Sequence, residues 1–284
     1  MTGITEKVWT VILQSAMKQN ALYDAVAGMT DEIVRIMDGK VTGIWLYGSV
    51  ALDDFHLGWS DIDLIALTDE TILDSQTERL LTLRQDMLKK EPHNPYYRSF
   101  EGIIASTEEY RSQAFSRLVY WGTSGQRITN RYAQDAFSRF ELAKYGKTVY
   151  GNRPWMFPAP DRKELIEAVR AHLDAIRKHA VQTDASLYSC GWLLDIARCV
   201  YTLRYSDVIA KTQAGIWALE EHIFPDEAPL KRTVAIRQSP LSFKGREDVK
   251  QWLKTLGPVV QQYADVLERE LRKAYPLKRQ LPVG

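Results

Sequence analysis

Apolar residues recur at helical spacing between Glu6 and Met37 (Val8, Ile12, Leu13 and Met17, then Ile33, Val34, Ile36 and Met37), which predicts two helices broken near Gly28. Asp38-Gly39 signals a turn, and Val41 to Tyr47 is an apolar run of strand length that stops at Gly48-Ser49. A second strand is predicted from Asp61 to Leu67, where Ile62, Leu64, Ile65 and Leu67 surround the acidic positions. Thr77 to Lys90 reads as a helix, and Tyr97 to Ser106 as a third strand built on Phe100, Ile103 and Ile104. Strands alternating with helices predict an α/β domain.

The pattern changes after Gly151. The stretch from Gly151 to Asp161 contains three prolines, Pro154, Pro158 and Pro160, and continues neither a helix nor a central strand. It is read as the linker between a domain at 1–152 and a second at 153–284. Beyond it the periods are helical: Leu165, Val169, Leu173 and Ile176, then Leu187 to Tyr205, Lys211 to His222, and Val249 to Ala274. No strand pattern competes there, so this half is predicted to be an α-helical bundle. No internal repeat or low-complexity segment interrupts either half.

Composition narrows the function classes. The chain is 45% hydrophobic and 26% charged, with Lys+Arg 37 against Asp+Glu 36 and a formal net charge of +1. That balance gives no global field for nucleic acid, and no nucleic-acid partner is expected. No apolar run approaches the roughly 18 residues needed to cross a bilayer, and the first twenty residues lack the continuous apolar core of a signal peptide. A cytoplasmic protein without a membrane partner is therefore expected. Cys190 and Cys199 fall in one predicted helix about 13 Å apart along its axis, too far for a disulfide. They are read as buried thiols in a reducing compartment.

The chemistry concentrates in Gly48-Ser49 and, after eleven intervening residues, Asp61-Ile62-Asp63. Carboxylates two residues apart on a strand share a face, and Ile62 turns toward the core. Side by side, the two charges repel unless a cation lies between them. A divalent metal such as Mg²⁺, holding oxygen ligands and a phosphate, resolves that repulsion. Gly48-Ser49 closes the preceding strand with a small turn whose backbone N–H groups can approach a polyphosphate.

The run Leu46-Tyr47-Gly48-Ser49 … Ser60-Asp61-Ile62-Asp63-Leu64 resembles the signature of the nucleotidyltransferase superfamily that includes DNA polymerase β. More narrowly it resembles the bacterial aminoglycoside adenylyltransferases that modify streptomycin and spectinomycin. The resemblance implies an α/β nucleotidyltransferase domain with a small mixed sheet, followed by an all-α domain that clamps substrate and nucleotide. It implies ATP as co-substrate and Mg²⁺ held by Asp61, Asp63 and Glu101, with Gly48, Ser49 and Ser60 on the nucleotide. Glu101, in Ser99-Phe100-Glu101-Gly102-Ile103, matches the third carboxylate, which acts as catalytic base. Leu193 to Arg198, Ile209 to Lys211 and Ala214 to Leu219 follow the family's helical domain, so Arg198 and Lys211 are expected on the ATP phosphates. Asp135 matches an Asp that contacts the nucleotide, with a spacing different by about one residue.

For the acceptor, the resemblance points to Glu101, Trp121 and Asp184, with Asp195 as a further candidate. His179 stands where streptomycin-using members have a Trp, and Tyr188 where they have an acid. Asp53 and Asp54 are expected to be solvated loop acids that help attract a cationic substrate. The resulting expectation is an enzyme that moves AMP from ATP to a hydroxyl of an aminoglycoside-type antibiotic, with spectinomycin ranked above streptomycin. Two rivals stay open: transfer to a protein or another small molecule, and a non-catalytic nucleotide-sensing module. Oligomeric state is left open.

Overall fold

The computed structural model describes residues 3–123, 125–151 and 157–274, with side chains from residue 20 onward in the first helix. One long helix, α1 (Gly3–Ile36), precedes β1 (Val41–Tyr47), a single helical turn α2 (Gly48–Ala51) and β2 (Ile62–Thr68). Then come α3 (Asp74–Lys90), β3 (Phe100–Ser106), α4 (Thr107–Ser112), β4 (Leu118–Gly122), β5 (Gly125–Thr129), α5 (Ala136–Tyr145) and β6 (Lys147–Tyr150). The remainder is helical: α6 (Arg162–His179), α7 (Tyr188–Tyr205), α8 (Lys211–Glu220), α9 (Ala228–Gln238), α10 (Pro240–Phe243), α11 (Glu247–Lys254) and α12 (Gly257–Ala274).

The strands form a mixed sheet in the order β5-β4-β3-β2-β1-β6. β2 and β3 are parallel, whereas β4 joins β3, β5 joins β4 and β6 joins β1 in antiparallel fashion. The three central strands β1, β2 and β3 share one burial pattern, in which only the second residue is partly exposed. Such runs, apolar on both faces, belong to strands covered on both sides. α1 and α3 pack together, and α3 lies against β4 and β5. From residue 20 onward, Leu22, Val26, Met29, Ile33 and Ile36 form the buried stripe of α1.

Three expectations about elements are corrected. α1 does not break at Gly28. A helical glycine costs about 1 kcal/mol relative to alanine, but here it also makes room: a Cβ would stand 3.0 Å from the Tyr97 hydroxyl. β4, β5 and β6 went unforeseen. β5 and β6 are short edge strands with few buried residues, so they carry no alternating signal. The helical run from Val249 to Ala274 is two helices, because Pro258 stands in the first turn of α12, where a missing N–H costs nothing. The linker's boundary at 152/153 and the side chains of Val8, Ile12, Leu13 and Met17 lie outside the described residues.

Contacts divide the chain into two compact units that no single cut separates. The first comprises 1–46, 61–133 and 147–155; the second comprises 47–60, 134–146 and 156–284. The second has its own core. Leu193, Ile196 and Val200 of α7 are fully buried among Ile176 of α6, Leu230 of α9 and Tyr263 and Leu267 of α12. Cys190 and Cys199 are free and buried in α7, and burial pushes both thiols up to about 12. Among the described residues no helix is long and apolar enough to cross a membrane.

The β2–β3 pairing depends on one residue. Gly102 takes φ +142°, and a Cβ there would stand 1.8 Å from the Leu64 carbonyl oxygen. Neither backbone can yield without breaking the ladder. Gly102→Ala is therefore expected to lose more than about 3 kcal/mol of stability, read as the denaturation midpoint. An unchanged midpoint would refute this close approach.

Candidate functional site

Three carboxylates share a face of the first unit. Ile62, which opens β2, has no exposed surface, so Asp61 and Asp63 on either side of it turn to the opposite face. In the parallel ladder Asp63 is level with Glu101 of β3. Glu101 Oε1 accepts from the Tyr120 hydroxyl at 3.2 Å, and Oε2 accepts more weakly from Thr123 at 3.4 Å. Among the described residues no three acidic, His or Cys groups are drawn tightly enough together to form a ready-made metal cage. The donor set still suits a hard divalent cation. It is all carboxylate oxygen, from two neighbouring strands, with like charges that a cation would relieve.

Arg84 was not foreseen. Its guanidinium is buried and donates to the carbonyls of Phe100 at 2.5 Å and Gly122 at 3.3 Å, so it ties α3 to the ends of β3 and β4. Burial lowers its pKa, while the charges of Glu101 and Asp61 support its protonated form. A signal existed in the sequence. Arg84 falls on the buried stripe of α3 with Leu80, Leu83 and Met87, where a charge needs a reason.

The Gly48-Ser49 turn belongs to the second unit. Gly48 takes φ +64° and swings the chain from β1 into α2, as a small residue at a strand end should. In the loop that follows, Asp53 is exposed as expected, but Asp54 is not solvated. Asp54 is only 7% exposed. Its backbone N–H donates to the Ser49 carbonyl at 2.8 Å. Its Oδ2 accepts from Arg237 Nη2 at 2.8 Å, from Arg237 Nε at 3.2 Å and from the Thr212 amide at 3.2 Å. Its Oδ1 meets His56 Nε2 at 3.0 Å. Burial raises the Asp54 pKa, but these partners outweigh it and hold the carboxyl well below the usual range.

Also in the second unit, Arg198 and Lys211 sit in a buried charge network. Arg198 Nη1 donates to Glu141 of α5 at 2.9 Å. Asp195 Oδ1 stands 3.6 Å from Arg198 Nη2 and 2.8 Å from Lys211 Nζ. That oxygen meets the two cations as charge contacts, without a well-directed hydrogen bond. Arg198 also lies over the Phe137 ring at 5.1 Å, and His172 meets the same ring edge-on. Arg198 Nε is buried and finds no acceptor among the described residues, so one donor remains for an anionic oxygen. Burial raises the Glu141 carboxyl above its ordinary range while Arg198 pulls it back. Burial also raises Asp195, but Lys211 and Arg198 bring it below that range. Glu141 carried no sequence signal, because its partner lies 57 positions away.

The other expected site residues have local duties. Asp135 is the N-cap of α5 and accepts from the Ser138 amide at 3.0 Å and its hydroxyl at 2.7 Å. Ser60 Oγ accepts from the His56 amide inside the loop. Asp184 accepts from the Ser186 amide and the Ser189 hydroxyl ahead of α7. Trp121 departs most from expectation. Its indole has no exposed surface and donates to the Leu80 carbonyl at 3.0 Å, so it is core between β4 and α3 and offers no face to a ligand. Alternation puts Tyr120 on the Glu101 side instead. His179 and Tyr188 are both exposed, Tyr188 to 61%.

Residues 30–113 match the nucleotidyltransferase domain, and residues 156–266 match the C-terminal domain of aminoglycoside adenylyltransferase. Over residues 156–266 the chain matches the aminoglycoside adenylyltransferase family. Its fold is similar to that of the spectinomycin adenyltransferase AAD(9) from Enterococcus faecialis, with a TM-score of 0.55 and 14% identity. That likeness covers 87% of this chain and 99% of the other. A toxin–antitoxin structure with AMP-PNP overlaps 54% of this chain and 92% of that one at 15% identity, with a TM-score of 0.26. No curated protein matches the chain in sequence. The first matched stretch holds the carboxylate set and the second holds Asp195, Arg198 and Lys211, while Glu141 lies outside both.

The buried Glu141 gives a pH prediction. Its folded pKa lies above the ordinary 4.5, so the folded protein binds more protons than the unfolded chain between those two values. Its contribution to stability therefore grows as pH falls through the folded value. Comparing wild type with Glu141→Gln cancels groups common to both. The melting-temperature difference should move in favour of wild type as pH is lowered from neutral toward the ordinary value. Movement in favour of Glu141→Gln would mean that Arg198 dominates burial.

Proposed function

We propose that this protein transfers AMP from ATP to a hydroxyl of an aminoglycoside antibiotic and releases pyrophosphate. The observation that carries the proposal is the level pairing of Asp63 with Glu101 on the face shared with Asp61, within a chain that matches the aminoglycoside adenylyltransferase family over residues 156–266. The similar enzyme AAD(9) was solved with ATP and spectinomycin, which supports ATP as the donor and a drug of this kind as the acceptor. A non-catalytic sensing role gives no reason to keep a base beside two like charges at their electrostatic cost.

In the proposed reaction the acceptor oxygen attacks the α-phosphorus in line. An O–P bond forms to AMP, the α–β anhydride bond breaks, and pyrophosphate leaves. Glu101 takes the hydroxyl proton; hydrogen bonds from Tyr120 and Thr123 orient its two oxygens for the task. Asp61 and Asp63, with Glu101, would hold Mg²⁺, which supplies charge neutralisation at the reacting phosphate when bound. Gly48-Ser49 and Ser60 serve the nucleotide, with Asp135 a weaker candidate because its carboxylate already caps α5. Arg198 and Lys211 neutralise the β- and γ-phosphates and assist pyrophosphate departure, the orphaned Arg198 Nε being the donor best suited to a new oxygen. A cytoplasmic enzyme of this kind would confer antibiotic resistance.

Two tests follow. Glu101→Gln should lower kcat about 10²–10⁴-fold with little change in ATP affinity, and Asp63→Asn should abolish most transfer in a folded protein. Near-normal turnover of folded Asp63→Asn defeats the metal assignment, and loss of ATP binding alone in Glu101→Gln reassigns the base.

The acceptor ranking rests on His179 and Tyr188, with Asp184 as an acid on the drug's side. An imidazole offers less stacking area than an indole. Tyr188 removes a carboxylate that would pair with a guanidinium group. Spectinomycin should therefore show the higher kcat/KM when both drugs are assayed with ATP and Mg²⁺. A higher value for streptomycin refutes the ranking, and mass gain of AMP on neither drug points to a protein or another small molecule as acceptor.

A further inference from the structure

The loop from Val50 to Trp59, between Gly48-Ser49 and Ser60-Asp61-Ile62-Asp63, is given no part in the proposed chemistry, yet it holds a heavily bonded carboxylate. Asp53 takes φ +55°, unusual for a non-glycine residue, and the turn it makes carries Asp54 inward. Asp54 then links three elements. Its N–H holds the Ser49 carbonyl in α2 at 2.8 Å. Its carboxylate receives the amide of Thr212, the residue after Lys211 in the first turn of α8, at 3.2 Å. It also receives both Nε and Nη2 of Arg237 from α9. Arg237 is 3% exposed, lies beside the Trp59 ring at 5.6 Å, and closes the circuit by donating to the Thr212 hydroxyl at 3.1 Å.

We propose that Asp54 is a positioning residue for nucleotide binding: with Arg237 it fastens the Ser49 turn to the first turn of α8, so that Ser49 and Lys211 meet the polyphosphate as one rigid body. The inference rests on the reading of Ser49 and Lys211 as phosphate-contacting residues. A surface ion pair would not serve this purpose, since it contributes little and leaves its side chains free. A buried pair is different. Breaking it leaves a charge without compensation, so the loop and both helices are held in one arrangement. Separate flexible elements would each have to be ordered when nucleotide binds, and a preformed pair avoids that cost.

The test uses the full chain, with Mg·ATP affinity measured by titration calorimetry. Asp54→Asn keeps the shape but weakens the clasp on Arg237, and Arg237→Lys keeps the charge but loses the two-pronged grip. Each should weaken Mg·ATP binding about tenfold, equivalent to about 1.4 kcal/mol, with a smaller change in kcat. A merely structural role would leave the effects of Asp54 and Lys211 additive. Here Lys211→Met should cost less in the Asp54→Asn background than alone, because the lysine has already lost its placement. Should Asp54→Asn fail to fold, Arg237→Lys carries the same cycle with Lys211→Met. Unchanged affinity in a folded variant, or strict additivity, overturns the proposal. Wild-type protein that does not bind Mg·ATP would instead remove the nucleotidyl-transfer reading and this inference with it.

Discussion

Parallel pairing of β2 with β3 brings Asp63 level with Glu101, and the ladder through Gly102 leaves no freedom in that register. With a side-chain period of two, a slip of one residue would send Glu101 to the opposite face and bring Phe100, now 1% exposed, to the acidic one. The apolar flanks of both strands resist this, because every buried residue would have to exchange places with a partly exposed one. The same core that fixes the fold therefore fixes the separation of the acids. Arg84 adds a second restraint by gripping the carbonyls of Phe100 and Gly122, so its buried charge serves the sheet as well as the local potential.

The two units handle charge differently. In the first, acids gather on one face with a buried guanidinium near Asp61 and Glu101. In the second, Arg198 and Lys211 are matched by Glu141 and Asp195, two cations against two carboxylates in a region of low exposure. Burying a lone charge costs several kcal/mol, and pairing recovers most of it only when geometry is good. Asp195 has two cations and stays below the ordinary carboxylate range, whereas Glu141 has one hydrogen-bonded cation and burial prevails. Asp54, with a bidentate arginine, a histidine and a helix amide, is the best compensated of the three.

What was legible in the sequence follows from range. Val41 to Tyr47, Asp61 to Leu67 and the two carboxylates flanking Ile62 are local patterns, and they appear with small shifts at their ends. The mixed sheet and the helical second half agree with the resemblance carried by Gly48-Ser49 and Asp61-Ile62-Asp63. Edge strands β5 and β6 had no pattern to read, and Gly28 looked like a break because propensity says nothing about Tyr97 packing against it. Asp54 looked solvated because its partners lie 158 and 183 positions away. Trp121 looked like a lining aromatic because a sequence does not say which face of a strand meets α3. Charges that pair at long range and the choice of face are tertiary quantities.

Under the proposed reaction, a magnesium nucleotide is a ligand class that suits these charges. The acidic face of the first unit repels any anion but welcomes a divalent cation. The network of the second has its charges balanced but keeps an unused guanidinium donor at Arg198 Nε, which welcomes an anionic oxygen. A free cation would answer only the first need and a free phosphate only the second. Under the proposed reaction, Mg·ATP carries both charges on one molecule. Neither unit then requires an excess of net charge, which agrees with a chain whose formal charge is only +1.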